Sequence, residues 1–274
     1  MTTIAIVVDN RAGDGLAVEH GLSLWIDSGD RKILFDTGQG GALDDNAHLL
    51  GINLAETGIL VLSHGHYDHT GGVAGILRQA HQVHLYCHAG VVQPRYALQD
   101  GLARPIQMPG ESRAAVNAMY GERLHWIYNP VMLSDRVGLT GPIPRETDYE
   151  DRGGPFYCDP AGKRIDLIED DCALWIRTDR GLVVCVGCAH AGVINTLRYV
   201  CRLAGESRVR AVIGGLHLVN ADSRRLDRTV DDLRSIDPEM IVPCHCTGDA
   251  AAAILREGLG ERVIPGAAGM VLQF

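Results

Sequence analysis

Residues 63–72 of the chain read Ser-His-Gly-His-Tyr-Asp-His-Thr-Gly-Gly. Within six residues of this stretch stand four side chains that can bind metal ions: His64, His66, Asp68 and His69. They follow the apolar run 58–62, which is typical of a buried strand. A strand that ends in such a tight loop can direct its ligands at two neighbouring metal ions. The stretch therefore predicts a metal site, and it indicates hydrolysis by a metal-activated water.

Three later histidines stand at corresponding places, because each follows a predicted apolar strand. The runs 183–190, 212–217 and 241–245 end at His190, His217 and His245. In sheets covered by helices, ligands gather beyond the strand ends, so adjacent strands would bring these side chains to the same edge as the 64–69 loop. Histidine and aspartate ligands suit zinc, and also iron or manganese.

The remaining metal-capable residues are assigned to packing or to loops. Cys188 is interpreted first as a small buried thiol and second as a ligand. His20 and His88 are interpreted first as polar loop residues and second as contacts of the site. The other histidines are predicted to be surface or packing residues: His48, His81, His84 and His125.

Short apolar runs alternate with amphipathic segments along most of the chain. Strands are predicted at 3–8, 22–26, 32–35, 58–62, 83–86, 173–177, 182–186, 209–213, 240–243 and 270–274. Helices are predicted at 40–50, 72–80, 192–204, 223–235 and 249–257. This order predicts an α/β fold of the αββα type, with two mixed sheets packed face to face and helices outside. We predict a single domain over residues 1–274.

The segment from about 90 to 165 is less regular and holds most of the prolines. We predict that it is an insertion lying over the active site. As a group its aromatic and arginine side chains offer substrate contacts, although a packing role is favoured for each one alone. They are Tyr96, Arg104, Arg113, Tyr120, Arg145, Tyr149, Arg152, Phe156 and Tyr157.

The composition narrows the class of protein. The formal net charge of −9 disfavours nucleic acid as the main partner, because phosphate binding favours a basic surface. The first residues lack the basic start of a signal peptide, and no apolar run approaches the ~20 residues of a membrane span. Eight cysteines without signs of export indicate a reducing cytoplasm. We expect a cytoplasmic protein with a small-molecule substrate and no nucleic-acid or membrane partner; assembly into a homo-oligomer stays open.

Together these motifs resemble the metallo-β-lactamase-fold superfamily of dinuclear metallohydrolases. The resemblance covers nearly the whole chain and rests on Asp36, the 64–69 motif, Gly187-Cys-Ala-His190 and Pro243-Cys-His245. The chain is also similar to a subgroup of metal-dependent hydrolases and dihydropterin-linked aminobenzene-phosphate synthases. The subgroup features are Asp-Asn at 9–10, Glu-His-Gly-Leu-Ser at 19–23, Gly-Cys-x-His-x-Gly at 187–192 and Gly-Gly-x-His-Leu at 214–218.

The resemblance implies a ligand set for one or two zinc ions, with iron and manganese as alternatives. The set is His64, His66, Asp68, His69, His190 and His245. The first two would bind one metal ion and the next two the second, which His245 would complete. His190 would serve the first ion or the bridging position. The superfamily usually has a bridging aspartate, and none is obvious here, so Cys188 or His190 takes that role or one ion is held weakly.

The same resemblance implies roles in catalysis. A bound metal ion lowers the pKa of water from 15.7 to about 7, so that hydroxide exists at neutral pH. Asp68 would both bind the metal and orient that hydroxide. His217 would act as general acid or bind the substrate. Asp36 would hold the metal loop as a hydrogen-bond acceptor behind the ligands.

Three function classes compete. The first is a metallohydrolase acting on a small ester, lactone or phosphate-bearing substrate, for which the subgroup implies a synthase-type activity on a pterin-linked aminobenzene ribosyl phosphate. The second is a mononuclear iron oxygenase or persulfide dioxygenase on the same fold, which metal analysis would separate from a zinc enzyme. The third is a non-catalytic binding module, which the intact 64–69 cluster and the acidic balance disfavour.

Overall fold

The structure is a computed structural model that describes residues 1–119 and 121–274, so Tyr120, one of the predicted substrate contacts, lies outside the described residues. The described chain divides into two compact units. The first unit comprises Met1–Ile127, Pro155–Asp170 and Ala267–Phe274, and the second comprises Tyr128–Gly154 and Asp171–Gly266.

The helices and strands follow one another along nearly the whole described chain. The first half contains β1 (Thr3–Val8), β2 (Ser23–Asp27), β3 (Lys32–Phe35), α1 (Leu43–Leu49), β4 (Ile59–Val61), α2 (Tyr67–Thr70), α3 (Val73–Gln79), β5 (His84–Cys87), β6 (Tyr96–Gln99), β7 (Leu102–Pro105), α4 (Gly110–Asn117) and β8 (Leu124–Trp126). The second half contains β9 (Val131–Met132), β10 (Val137–Leu139), β11 (Phe156–Tyr157), β12 (Ala173–Thr178), β13 (Gly181–Val186), α5 (Val193–Ala204), β14 (Val209–Gly215), α6 (Ser223–Ile236), β15 (Met240–Cys244), α7 (Asp249–Leu259) and β16 (Val271–Gln273). Within residues 1–119 and 121–274, no helix has the length and apolar character needed to cross a membrane.

The first unit is built on a mixed sheet of seven strands in the order β16-β1-β2-β3-β4-β5-β8. Its strands are antiparallel from β16 to β3 and parallel from β3 to β8. Leu34, Leu60 and Leu85 are fully buried in a core that also takes Leu43 of α1 and Ile76 of α3. Because β3 and β4 are parallel neighbours, the loops that follow them leave the same edge of the sheet. A smaller sheet, β11-β6-β7, belongs to this unit as well.

The second unit is built on a mixed sheet of six strands in the order β15-β14-β13-β12-β10-β9. The neighbours β13, β14 and β15 are parallel, so their carboxyl ends lie side by side. Leu197 of α5, Leu233 of α6 and Leu255 of α7 are fully buried in one core with Val184 and Val212. Truncating a buried leucine of this kind to alanine costs about 2–5 kcal/mol, so this core fixes the strand ends firmly.

The predicted α/β fold class is confirmed, with one large mixed sheet and its helices in each unit. The segment from about 90 to 165, predicted to be irregular, is more ordered than expected: it contains α4, β8 joins the first sheet, and β9 and β10 join the second. These strands have only two or three residues each, too few for an alternating pattern to stand out. The single domain over residues 1–274 stays a prediction.

Candidate metal centre

In the first unit, the 64–69 loop after β4 brings three imidazoles into contact. His64 and His69 are fully buried, and His66 is 5% exposed. His64 Nε2 lies 2.9 Å from His66 Nδ1, and the ring centroids of His64 and His69 are 4.3 Å apart. Buried imidazoles in mutual contact are a donor set that suits zinc and similar divalent ions, which take nitrogen lone pairs as ligands. The residues present therefore fit a metal ion.

The carboxylate of Asp36, just after β3, fixes this loop from within the core. Asp36 Oδ1 accepts from Ser63 N at 2.7 Å, and Oδ2 accepts from Ser63 Oγ at 2.6 Å and lies 2.7 Å from His69 Nδ1. A carboxylate only accepts, so His69 donates from Nδ1 and its Nε2 carries the lone pair. His64 Nδ1 lies 2.9 Å from Ser63 Oγ, whose own proton is used on Asp36, so Nε2 of this ring carries the lone pair too. Asp36 thus takes the position predicted for it.

A buried ion-pair network supports the same loop at Gly65. Its N–H donates to Asp170 Oδ2 at 2.9 Å, and Asp170 Oδ1 accepts from Arg95 at 2.5 Å. Asp166 lies 3.0 Å from Arg95 Nε, and all three charged side chains are almost fully buried. A Cβ at position 65 would overlap the backbone of Val91, so the residue between the two histidines must be glycine. The network leaves the loop little freedom to move its ligands.

Asp68 contacts His20, for which the sequence gave site contact only as the second interpretation. His20 Nε2 lies 3.1 Å from Asp68 Oδ2, and Asp68 itself is 7% exposed. Asn10 positions the histidine segment, because its Oδ1 accepts from Gly21 N and its Nδ2 lies 3.2 Å from His20 Nδ1. These contacts explain why Asp-Asn at 9–10 and Glu-His-Gly at 19–21 occur together in the sequence.

In the second unit, the predicted ligands stand just beyond three adjacent strand ends. Cys188 and His190 follow β13, His217 follows β14, and His245 and Cys246 follow β15. The ring centroids of His190 and His217 are 4.3 Å apart. The expectation that these strands carry their histidines to one place is met within this unit.

Two groups of possible metal ligands result, and Cys188 belongs to both. One is Cys188, His190 and His217, and the other is Cys188, His245 and Cys246; in each, the ligand atoms all lie within 4.8 Å of one another. None of these side chains is more than 9% exposed. Thiol and imidazole ligands are the set that zinc sites use, so this unit fits a metal ion as well.

His190 is oriented by two arginines from the segment predicted to contact substrate. His190 Nδ1 donates to the carbonyl oxygen of Arg152 at 2.8 Å, which leaves the lone pair on Nε2. Arg145 Nη1 donates to the carbonyl oxygen of His190 at 2.7 Å. Both arginines therefore contact a predicted ligand rather than standing apart from it.

Left-handed backbone conformations collect at these strand ends. The φ angles of Ala189, His217 and His245 are 49°, 47° and 45°, and that of Asp36 in the first unit is 61°. A non-glycine residue in this region costs about 1–2 kcal/mol. Such strain persists where surrounding structure enforces it, and it is concentrated at functional sites.

The electrostatics of the second unit favour ionised sulfur. Burial opposes ionisation of the Cys246 thiol, but a hydrogen bond with Cys188 and the nearby imidazoles of His217 and His245 outweigh it, so its pKa is well below the usual value. The thiolate is the form of cysteine that binds metal ions. Burial alone raises the pKa of Cys185, three residues before Cys188, to about 12.

A model of the metallo-beta-lactamase superfamily matches residues 16–245, which contain all the predicted ligands. The chain belongs to the metallo-beta-lactamase superfamily. Proteins of this superfamily bind metal ions, and most of them are enzymes.

Two curated proteins from Methanocaldococcus jannaschii are similar to this chain over most of its length. One, named 7,8-dihydropterin-6-methyl-4-(beta-D-ribofuranosyl)-aminobenzene-5'-phosphate synthase, is 28% identical over 268 residues, which is 93% of this chain and 90% of the relative. The other is an uncharacterised protein that is 32% identical over 257 residues, 93% of this chain and 94% of its own.

Solved structures agree with this assignment. A metal-dependent hydrolase of the beta-lactamase superfamily is 28% identical, with a TM-score of 0.84 over 100% of this chain and 99% of its own. A diphosphatase of the PhnP family, 12% identical with a TM-score of 0.54, covers 100% of this chain and 98% of its own, and it shows the fold alone.

Two acidic residues that the sequence did not reveal hold the His190 turn of this metallo-beta-lactamase fold. Glu150 accepts from the N–H groups of Ile194 and Asn195 at 2.9 Å and so caps α5. Asp171 Oδ2 accepts from Ala191 N at 2.7 Å. Burial raises the pKa of Glu150, although the N–H groups of Ile194 and Asn195 act in the opposite direction.

Cys246 was also not predicted to be a metal ligand, although its place in the Cys-His-Cys triplet at 244–246 was a usable signal.

Of the remaining residues singled out in the sequence, some lie beside the candidate ligands and others only support the fold. The Phe156 ring lies 5.2 Å from that of His66, whereas Tyr149 donates to Asp232 at 2.6 Å and packs under Arg228. His88 accepts from Gly90 N in a short helical turn. His48 is exposed, as predicted.

Proposed function

We propose that the chain is a metal-dependent hydrolase acting on a small ester, lactone or phosphate-bearing substrate. The observation that carries the proposal is the buried contact of His64, His66 and His69, with the ring nitrogens of two of them oriented through Asp36. Membership of the superfamily supports it, as does the similarity to a metal-dependent hydrolase over nearly the full length of both chains.

The proposed ligands are those that the resemblance implied: His64, His66, Asp68, His69, His190 and His245. Zinc is the proposed ion, one or two per chain, because imidazole with carboxylate or thiolate is its usual ligand set. Iron and manganese are the alternatives. We further propose a cytoplasmic location, a small-molecule substrate and no nucleic-acid partner, in keeping with the net charge of −9.

Different residues of the chain have different roles in the proposed reaction. A metal ion bound by this set lowers the pKa of water to about 7 and polarises a carbonyl or phosphoryl oxygen. Asp68, with one oxygen 3.1 Å from His20, is held so that its carboxylate accepts a hydrogen bond from the attacking water. His217 supplies a proton to the leaving oxygen or binds the substrate, from a position that is 9% exposed.

A second candidate function is the synthase-type reaction on a pterin-linked aminobenzene ribosyl phosphate. The observation that favours it is the M. jannaschii synthase, 28% identical over 93% of this chain. One fold supports many reactions, so identity at this level supports the family more strongly than the substrate. Lactones, phosphodiesters, phosphomonoesters and the pterin-linked substrate should therefore be assayed side by side.

Metal analysis of the purified protein with His66→Ala and Asp68→Ala tests the hydrolase proposal. Wild type should contain zinc, and both variants should lose turnover and much of the metal. His48→Ala is the matched control, because this histidine is exposed on α1, and it should change neither. Full metal content and turnover in the two site variants would show that the assignment is wrong, and iron with oxygen consumption would favour the oxygenase class.

His217→Ala tests the proton-donor role separately. Turnover should fall by about 10²–10⁴-fold, the range for general acid–base catalysis, while metal content stays near that of wild type. Loss of the metal ion instead would make His217 a ligand.

A further inference from the structure

Sulfur stands at two of the three strand ends that carry the histidines of the second unit. Cys188 comes after β13 and Cys246 after β15, on either side of β14. Their exposed fractions are 2% and 8%. A cysteine in the middle of a buried strand, such as Cys185 of β13, packs as a small apolar side chain. Cys188 and Cys246 differ from it because histidine ring nitrogens lie close to both sulfurs.

The distances between the sulfur and nitrogen atoms suit a shared metal ion. Cys188 Sγ, Cys246 Sγ and a ring nitrogen of His245 all lie within 4.8 Å of one another. With bonds of about 2.3 Å to sulfur and about 2.0–2.1 Å to nitrogen, tetrahedral ligands lie roughly 3.3–3.8 Å apart. A small closure of side chains, without movement of the strands, brings these three atoms to that spacing.

The backbone at Gly215 leaves room for the second sulfur. A Cβ at this position would lie 2.6 Å from Cys246 Sγ, well inside the about 3.5–4.0 Å of an ordinary contact. It would also lie 2.6 Å from the carbonyl oxygen of Gly187, so both this oxygen and the sulfur of Cys246 require glycine at the end of β14. Any larger residue here would displace the thiol from Cys188 and His245.

Cys188 is common to both ligand groups. Its sulfur lies within 4.8 Å of ring nitrogens of His190 and His217 in one group, and of His245 and Cys246 in the other. A thiolate has more than one lone pair and can contact two metal ions at once. The sequence shows no aspartate for the bridging position, so a sulfur in this place answers a question that the motifs left open.

We propose that Cys188 and Cys246 are thiolate ligands of the metal centre, with Cys188 shared between His190 on one side and His245 with Cys246 on the other. This inference rests on the proposed function, because it assumes that the centre binds metal ions. Each thiol loses its proton as the metal binds, so metal uptake releases protons to the solvent. Thiolates are soft ligands that favour zinc over manganese, and they make the metal-free protein sensitive to oxidation.

Cobalt substitution of the full-length protein tests the inference. The resident metal is removed, Co²⁺ is added under reducing conditions, and the absorption spectrum is recorded. Wild type should show visible d–d bands together with a near-ultraviolet sulfur-to-cobalt charge-transfer band. Cys188→Ser and Cys246→Ser should each lose part of that band, and the double variant should lose it. Cys244→Ser is the matched control, since this buried cysteine at the end of β15 belongs to neither ligand group and should not affect the band.

The two proposals fail in different ways. Absence of all cobalt bands would overturn the proposed function, whereas visible bands without the charge-transfer band would overturn only the thiolate ligands. X-ray absorption of the zinc-loaded wild type avoids any folding defect of the serine variants. A sulfur shell at about 2.3 Å supports the inference, and a shell made only of nitrogen and oxygen at about 2.0–2.2 Å overturns it.

Discussion

The two units present their candidate ligands in different ways. In the first unit, His64, His66 and His69 come from one loop. One buried carboxylate, Asp36, accepts from His69 directly and orients His64 through Ser63. In the second unit the ligands come from the ends of three strands, and each turn has its own support, such as Glu150 for α5 and Arg152 for His190. The ligand positions of the first unit therefore depend on a few shared atoms, whereas those of the second unit depend on several separate contacts.

This difference predicts how each unit responds to change. Removing the shared acceptor in the first unit should disturb several ligands together. Removing one support in the second unit should disturb one turn and leave the others in place. Variants in the two units can therefore be compared pair by pair, beginning with the largest expected effect.

Asp36→Gly should give the largest loss. Glycine tolerates the φ of 61° at this position, so the loss comes from the side chain alone. It leaves the Ser63 and His69 donors buried without their acceptor, which costs about 1–3 kcal/mol for each donor. Metal affinity should fall by about 10–100-fold, as for other residues that orient ligands. Urea unfolding and metal titration measure the two effects.

Asp237→Gly is the control for that variant. Asp237 has a similar φ of 56°, but it is exposed at the end of α6 and pairs with Arg262 on the surface. Glycine is favoured where a helix ends in the left-handed conformation, so stability should hardly change. Equal losses in both variants would show that the backbone, not the buried carboxylate, is responsible.

Gly65→Ala should come next, with Gly153→Ala as its counterpart in the second unit. The new Cβ at position 65 would overlap the backbone of Val91, which cannot turn away, so we expect a loss of about 1–3 kcal/mol and weaker metal binding. The Cβ at position 153 would overlap the ring of His217, and alanine is itself strained at the φ of 88° found there. Both variants should therefore lose stability, and Gly153→Ala should also lose turnover because it displaces His217. Wild-type turnover in Gly153→Ala would contradict a role for His217.

The difference between ligands on one loop and ligands at three strand ends also explains which residues could be predicted from the sequence. The ligands of the 64–69 loop are nearly contiguous, so their spacing alone indicated chemistry, whereas the role of Asp36 came from the family resemblance. The strand-end histidines were found because each closes an apolar run. Cys246 was not singled out, although it flanks His245 in the Cys-His-Cys triplet at 244–246. The space at Gly215 shows where its sulfur lies.

Long-range supports were also beyond the reach of the sequence. Glu150 caps a helix that begins more than forty residues later, and Asp170 reaches a loop N–H that lies more than a hundred residues earlier. Local patterns cannot pair such residues. The short strands β8 to β10 were missed for the opposite reason, because two or three residues carry too little pattern.

Glu150→Gln should have a smaller effect that depends on pH. Burial raises the pKa of Glu150 in the folded protein. A raised carboxyl pKa stabilises the fold below the unfolded pKa, and that contribution is lost as the pH rises through the folded value. Glutamine cannot ionise, so the variant should gain stability relative to wild type as the pH rises. Urea unfolding across that range measures the difference, and a constant difference would contradict it.

Ala189→Gly should have the smallest effect, and it completes the comparison with Asp36→Gly. Ala189 has a φ of 49°, so glycine relieves strain of about 1–2 kcal/mol. Glycine also adds about 0.4–1 kcal/mol of entropy to the unfolded chain, and the two terms largely offset each other. Because the methyl group of Ala189 orients no ligand, metal content should stay at the wild-type level while the unfolding free energy rises by about 1 kcal/mol or less. Loss of metal from this variant would show that the strained turn itself, rather than the supports around it, sets the position of Cys188 and His190.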